Sequence, residues 1–256
     1  MEKIIIIALF GLAWGSFLNV VIYRVPLRLS LLQPPSTCPS CKKRIKFYDN
    51  IPAVSYLLLR GRCRHCGQRI PFSYFLVELL TPAVFLVLYG KYALSAHFFA
   101  ACLFSSALIA LGFIDYYHKL LPDRISFPGT ILGLAYSFFR PDLAFFKAVI
   151  GAAVGAGFLL FIYGAYYLLR KKEGLGMGDV TMMLLVGVFL GWQKTLLTLI
   201  LASFTGALVG IALMLIKKKD MQYSLPYGTF LAPAAWVALV WGDRIISAYL
   251  GMMPGR

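Results

Sequence analysis

Charge is scarce in this sequence. Only 14% of its 256 residues are charged, ten acidic against 25 Lys and Arg, while 60% are apolar. With a mean hydropathy of +0.78, that is more apolar surface than a soluble domain of this length carries, and a polytopic membrane protein is implied. Also missing are a nucleic-acid-binding motif, a Gly-x-Gly-x-x-Gly turn of the dinucleotide-binding kind, internal repeats and low-complexity tracts. The basic residues lie in short loops between apolar runs. The net charge of +15 therefore reads as topology determinants and contact with anionic lipid headgroups, and nucleic acid is not expected as a partner. The first apolar run has no small-residue cleavage pattern at its end. It starts after Glu2 and Lys3 and leads into Asn19, Tyr23 and Arg24, which marks a retained span rather than a signal peptide.

Apolar stretches occur at about 3–23, 73–90, 94–114, 125–139, 144–169, 180–191, 195–216 and 229–241. A span needs roughly 20 residues, so those at 125–139 and 180–191 are short and suit tilted, re-entrant or locally thinned segments. If all eight cross, residues 24–72, 115–124, 170–178 and 217–228 share one side and hold 18 of the 25 Lys and Arg residues. That side is expected to be cytoplasmic. Omitting the 180–191 crossing would put Lys217, Lys218 and Lys219 outside, so that crossing is kept.

Residues 24–72 form the one soluble segment of any size, too short to bury a convincing core unaided. Cysteines supply the staple. Cys38-Pro39-Ser40-Cys41 and Cys63-Arg64-His65-Cys66 are separated by 21 residues, and two such knuckles can converge on one tetrahedral Zn²⁺. Paired disulfides, disfavoured in a reducing cytoplasm, and unliganded or redox thiols are the alternatives. His65 is expected at the surface and Cys102 as a small buried hydrophobe. Pro34-Pro35 marks an extended entry into the segment. In the spans, Gly151 with Gly155, Gly187 with Gly191 and Gly206 with Gly210 are small-xxx-small pairs that allow close helix approach.

Two carboxylates stand at the cytoplasmic edge. Asp115 closes an apolar run, and Asp179 follows Gly174, Gly176 and Gly178 at the opening of another. Ionisable groups at membrane depth are costly and usually functional. Asp115 would face the negative end of its own helix, which disfavours a charge there, whereas unpaired N–H groups at a helix start favour a carboxylate at Asp179. Two carboxyl groups set apart in this way fit a general acid, Asp115, and a general base, Asp179, around one water. Each also has a plainer reading. Asp179 suits a helix N-cap, and Asp115 suits an interfacial residue beside Tyr116 and Tyr117. Asp123, after Pro122, is read as a structural N-cap. Glu78, one turn after Tyr74, is read mainly as a hydrogen-bonding group within the bundle, with neutralisation of a basic substrate as the alternative.

The ordered set Gly15-Ser16-Phe17-Leu18-Asn19-Val20-Val21-Ile22-Tyr23-Arg24, the two cysteine pairs, Asn50-Ile51-Pro52, Leu59-Arg60-Gly61-Arg62-Cys63, Ile114-Asp115, Leu121-Pro122-Asp123, Gly176-Met177-Gly178-Asp179 and Pro226-Tyr227-Gly228 with Phe230 resembles the type IV prepilin peptidases. The resemblance runs from residue 15 to 230. It implies an aspartic protease of the bacterial inner membrane, its active site facing the cytoplasm, that removes the leader of type IV prepilins or type II secretion pseudopilins. The family's catalytic aspartates fall on Asp115 and Asp179. The resemblance also implies that the cysteine domain, with Zn²⁺ on Cys38, Cys41, Cys63 and Cys66, accompanies methylation of the new amino terminus by S-adenosyl-L-methionine. It names no methyl-donor residues. Thr181 stands where the family often has Lys, and Ser73-Tyr74-Phe75 replaces its usual Arg-Tyr-Pro before Glu78.

The architecture expected is an all-α polytopic membrane protein of about eight transmembrane helices with a small cytoplasmic zinc-binding domain between the first and second. Residues 1–23 would be the first helix, 24–72 the cysteine domain and 73–256 the membrane peptidase domain. The competing readings are a proton-coupled small-solute transporter with a regulatory zinc domain, for which no paired discontinuous repeat is found, and a methyltransferase whose aspartates only hold the structure.

Overall fold

A computed structural model describes residues 1–33, 35–140, 143–171, 176–217 and 225–252. Pro34, Lys172, Gly174, Lys218 and Lys219 lie outside the described residues. All eight apolar stretches are helical, and no strand occurs among the described residues beyond two isolated bridges. The helices are α1 Glu2–Arg24, α2 Val54–Leu58, α3 Phe72–Tyr92, α4 Ala96–His118, α5 Asp123–Ser137, α6 Phe145–Arg170, α7 Met177–Leu190, α8 Trp192–Lys217 and α9 Gly228–Gly251. Among the described residues six are long and apolar enough to cross a membrane: α1, α3, α4, α6, α8 and α9. At 15 and 14 residues, α5 and α7 are shorter; they carry the two apolar stretches that were short in the sequence. The chain is a multi-pass membrane protein.

The chain forms two compact units, Met1–Ala110 and Leu111–Arg256. In the first, α1 packs along α3. The approach is close because Gly11 lies against Pro82, and Gly15 against the backbone of Val77 and Glu78. The polar residues in this contact find partners. Asn19 is buried and donates from Nδ2 to the carbonyl of Tyr74 at 2.9 Å, and the indole of Trp14 donates to Ser106 Oγ at 2.9 Å. Arg24 ends α1 and turns back, giving Nη1 to the carbonyl of Ser30 at 2.9 Å.

In the second unit α7 is the central element. Eleven of its 14 residues are buried, and α5, α6, α8 and α9 all pack on it. A helix of 14 residues is about 21 Å long at 1.5 Å per residue, less than the hydrocarbon thickness. Surrounded by protein, it has no need to match the bilayer by itself. Two of the three glycine pairs meet as their spacing predicted, Gly151 of α6 sitting against the backbone of Gly187 and Gly191, whereas Gly206 and Gly210 of the third pair face the side chains of Phe230 and Leu225. Outward faces carry large apolar side chains suited to lipid, among them Phe158, Phe161, Ile200 and Phe204.

Candidate active site and metal centre

Asp115 and Asp179 both belong to the second unit and both are buried, 5% and 7% exposed. Each lies near the end of its helix, Asp115 one turn before the end of α4 and Asp179 in the first turn of α7. They are close enough for each carboxylate to lie in the other's electrostatic field. Leu121, in the link between α4 and α5, packs against both Gly178 and Gly228. A Cβ on Gly228 would come within 3.0 Å of Asp115 Oδ2, and one on Gly178 within 2.8 Å of Leu121. These two glycines let the start of α7 and the start of α9 close around the same place.

The partners of the two carboxylates differ from those the helix dipoles alone imply. Asp115 Oδ2 accepts the backbone N–H of Thr229 at 2.8 Å and the Thr229 hydroxyl at 3.2 Å. The first turn of α9 therefore presents its free donors to Asp115, opposing the negative end of α4. Asp179 is not an N-cap. Gly176 holds that position, Asp179 is the third helical residue, and its Oδ1 is buried with no partner among the described residues. Asp123 also misses its expected role: Pro122 is the N-cap of α5, Asp123 is the first helical residue, and no side-chain cap bond forms.

Two further residues complete this site. Tyr227 lies within electrostatic reach of Asp179, and its hydroxyl is 3.0 Å from Ser203 Oγ. Thr229 is the residue that sequence reasoning missed. Its signal was its place directly after Pro226-Tyr227-Gly228 at a helix start, but only the fold brings that start to a carboxylate 114 positions away. Thr181 turns its hydroxyl back to the carbonyl of Gly178 at 3.0 Å, so it brings no charge to the pair.

In the first unit the four cysteines Cys38, Cys41, Cys63 and Cys66 converge, each free of disulfides, with their sulfurs within 4.8 Å of one another. Two similar knuckles deliver them. In one, Cys38 N–H donates to the carbonyl of Lys43 and Lys42 N–H to that of Cys38; in the other, Cys63 N–H donates to Gln68 and Gly67 N–H to Cys63. Lys42 takes a left-handed φ of 60° where its counterpart Gly67 has 70°. Cys38 Sγ is 3.9 Å from Cys66 Sγ. Sulfurs at about 2.3 Å from a tetrahedral ion stand about 3.8 Å apart, so the spacing fits Zn²⁺. The sulfurs also act on one another electrostatically. The backbone N–H groups of Cys41 and Ser40 help hold the Cys38 thiol down at about 6. At Cys66 the Gln68 backbone is outweighed by desolvation and the three neighbouring sulfurs, which push the thiol up to about 11. A cation among the four sulfurs is what would hold all of them as thiolates. His65 is exposed and Cys102 buried, as expected. An ion pair braces the outside of the segment: Arg64 donates from Nη2 to Asp49 Oδ1 at 2.7 Å and from Nε at 2.9 Å, and its guanidinium holds the Asp49 carboxyl below the ordinary range.

Glu78 is a hydrogen-bonding group within its unit. Its Oε2 accepts the N–H of Ala53 at 2.8 Å, and its Oε1 lies 3.5 Å from Asn19 Nδ2.

Comparison with known proteins follows the same division of the chain. Residues 9–92 match the model of the bacterial peptidase A24 N-terminal domain, and residues 102–211 match that of the type IV leader peptidase family. Similar curated proteins include those called prepilin leader peptidase/N-methyltransferase from Pseudomonas putida and Aeromonas hydrophila, each 38% identical. They cover 95% and 96% of this chain, and 92% and 93% of their own length is matched. The protein of that name from Pseudomonas aeruginosa is 34% identical over 94% of this chain and 91% of its own. No solved structure matches the chain. With paired buried aspartates in one unit, a tetra-cysteine cluster in the other and similarity along nearly the whole length, the chain belongs to the type IV leader peptidase family.

Proposed function

We propose that this protein is an aspartic endopeptidase of the bacterial inner membrane that cleaves the leader from type IV prepilins or pseudopilins at the cytoplasmic face. It then methylates the new amino terminus with S-adenosyl-L-methionine. The observation that carries the peptidase reading is the burial of Asp115 and Asp179 within each other's field, at the openings of α7 and α9. Asp115, with two donors on Oδ2, holds the negative charge; Asp179, with an orphaned Oδ1, carries the proton that the pair shares. This reverses the roles that the dipoles of α4 and α7 assign by themselves. Water gives a proton to Asp115 as its oxygen attacks the scissile carbonyl, while Asp179 protonates the carbonyl oxygen. Collapse of the tetrahedral intermediate then delivers a proton to the departing amine, and the titration belongs to the pair.

Cys38, Cys41, Cys63 and Cys66 would hold one Zn²⁺, which ties two knuckles of a segment that has little core of its own. In the proposed division of labour residues 24–72 serve methyl transfer and the membrane helices after them serve proteolysis. The +15 charge orients the chain and meets anionic headgroups, with no nucleic acid involved.

The peptidase reading is tested by Asp115→Asn and Asp179→Asn in purified, folded protein incubated with a prepilin. Neither amide can carry the shared proton, so each variant is expected to lose cleavage by at least about a thousandfold. Near-normal cleavage by either would remove the aspartic mechanism.

A further inference from the structure

The cysteine segment has an outer surface that neither the sulfur cluster nor the aspartate pair uses. Residues 24–72 carry ten Lys and Arg against one carboxylate, Asp49, and that one is already paired with Arg64. Large apolar side chains stand among these cations. Leu57 and Leu58 of α2 are 63% and 77% exposed, and Ile51 and Val54 beside them are exposed as well. An apolar patch rimmed by charge marks an interaction site.

Three contacts fix where this patch lies. The N–H of Ala53, at the start of α2, donates to Glu78 Oε2 at 2.8 Å. The ring of Tyr56 is stacked on that of Phe75 with centroids 5.1 Å apart, and it meets Phe72 edge-on at 6.5 Å. All three partners belong to the first two turns of α3, a helix long and apolar enough to cross the bilayer. Glu78 lies about 9 Å into that helix at 1.5 Å per residue, and the same turns carry Leu76 and Leu79 outward, suited to lipid. Tyr56 thus holds α2 alongside the entry of α3 into the hydrocarbon, which puts Leu57 and Leu58 at that level. Arg60 and Arg62 follow directly, both exposed.

We infer that α2 is an interfacial foot that docks the cysteine segment on anionic phospholipid, with Leu57 and Leu58 entering the acyl boundary and Arg60 and Arg62 taking lipid phosphates. The inference rests on the reading above that the basic loops meet anionic headgroups, and it assigns that contact to one surface. Charge complementarity selects the occupant. A surface whose single acid is already paired calls for anions, and leucines at the level of a membrane span call for acyl chains, which an acidic soluble protein does not supply. Interfacial elements of this kind bury their apolar face about 5–10 Å into the headgroup and acyl boundary, and each Lys or Arg near the surface adds to the attraction. With α1 and α3 at its two ends, the segment gains a third attachment to the membrane through the foot, one whose strength follows the charge of the lipid.

The test is hydrogen exchange, read by mass spectrometry, of peptides covering residues 54–62 in the full chain. The chain is held in nanodiscs of phosphatidylcholine alone or with about one third phosphatidylglycerol. The wild type is expected to exchange these amides about tenfold more slowly in the anionic nanodiscs, and the double variant Arg60→Gln, Arg62→Gln to shrink that difference below about threefold. Leu57→Ser with Leu58→Ser should exchange faster than the wild type in both lipids. Exchange of the buried α7 reports that each variant is folded. The wild-type comparison needs no variant: equal exchange in the two lipids overturns the foot. A slowing that persists undiminished without the two arginines overturns their part in it, and protection that appears only on adding an acidic soluble protein assigns the surface to a protein instead. Native mass spectrometry separates the foot from the reading beneath it. Phosphatidylglycerol retained equally by the wild type and the arginine variant, with no lipid effect on exchange, sinks the foot alone. A wild type that shows no preference for phosphatidylglycerol over phosphatidylcholine sinks the headgroup reading of the basic loops with it.

Discussion

Gly187→Ala is a one-methyl change, far from any charge, that should disable the peptidase. Gly187 lies on α7 where α6 crosses it, and a Cβ there would overlap the carbonyl of Gly151 and the amide nitrogen of Ala152, all backbone atoms. Backbone cannot rotate aside as a side chain can, so the helices must part by about 1 Å to restore ordinary contact near 3.5 Å. Overpacking of this kind costs about 1–3 kcal/mol. The larger consequence is positional. Asp179 rides on the same helix about two turns earlier, and a shift of about 1 Å in a catalytic group can cost about a hundredfold in rate. The expected result is a kcat/KM for prepilin cleavage lowered about a hundredfold, with a reduced melting temperature, in detergent-purified protein. Gly157→Ala is the control on α6, since a Cβ there meets nothing within 4 Å and alanine is the better helix former by about 1 kcal/mol. Wild-type kcat/KM and melting temperature in Gly187→Ala would refute the close-packing argument. Equal damage from Gly157→Ala would show that α6 tolerates no substitution and that the contact with α7 is not the cause.

Thr229→Val removes the hydroxyl donor from Asp115 and keeps the backbone one, so kcat should fall about tenfold, consistent with loss of one hydrogen bond to a charged group; an unchanged kcat in steady-state cleavage assays would exclude that bond from the mechanism. Metal analysis of cleanly prepared protein should find one Zn²⁺ per chain, and replacing any one of Cys38, Cys41, Cys63 or Cys66 by Ser should increase proteolytic nicking within residues 24–72; zinc-free protein with the four cysteines paired as disulfides would contradict the metal site. A double Cys63→Ser, Cys66→Ser variant should yield cleaved but unmethylated product by mass spectrometry of its amino terminus. Full methylation would place the transferase elsewhere, and loss of both activities in folded protein would make the segment part of the protease.

Composition and periodicity were enough to determine the class of this protein, because lipid admits only elements that satisfy their own backbone, and every long apolar stretch became a helix. Local spacing also revealed the cysteine cluster and the glycine contacts: two knuckles need only converge once, and Gly151, Gly187 and Gly191 meet because small residues alone permit backbone approach. Asp115 and Asp179 stood out because a carboxylate at membrane depth is costly enough to be conspicuous in an apolar sequence. What surrounds each carboxylate was decided by tertiary structure. A helix dipole is local to the chain, but Asp115 answers to the first turn of α9, a donor brought from 114 residues away, and no sequence pattern states which helix start faces which helix end. The same holds for Glu78, where the fold brings Ala53, Asn19 and Ser16 around one carboxylate, and for α7, whose modest length is compatible with its place because neighbouring helices rather than lipid enclose it.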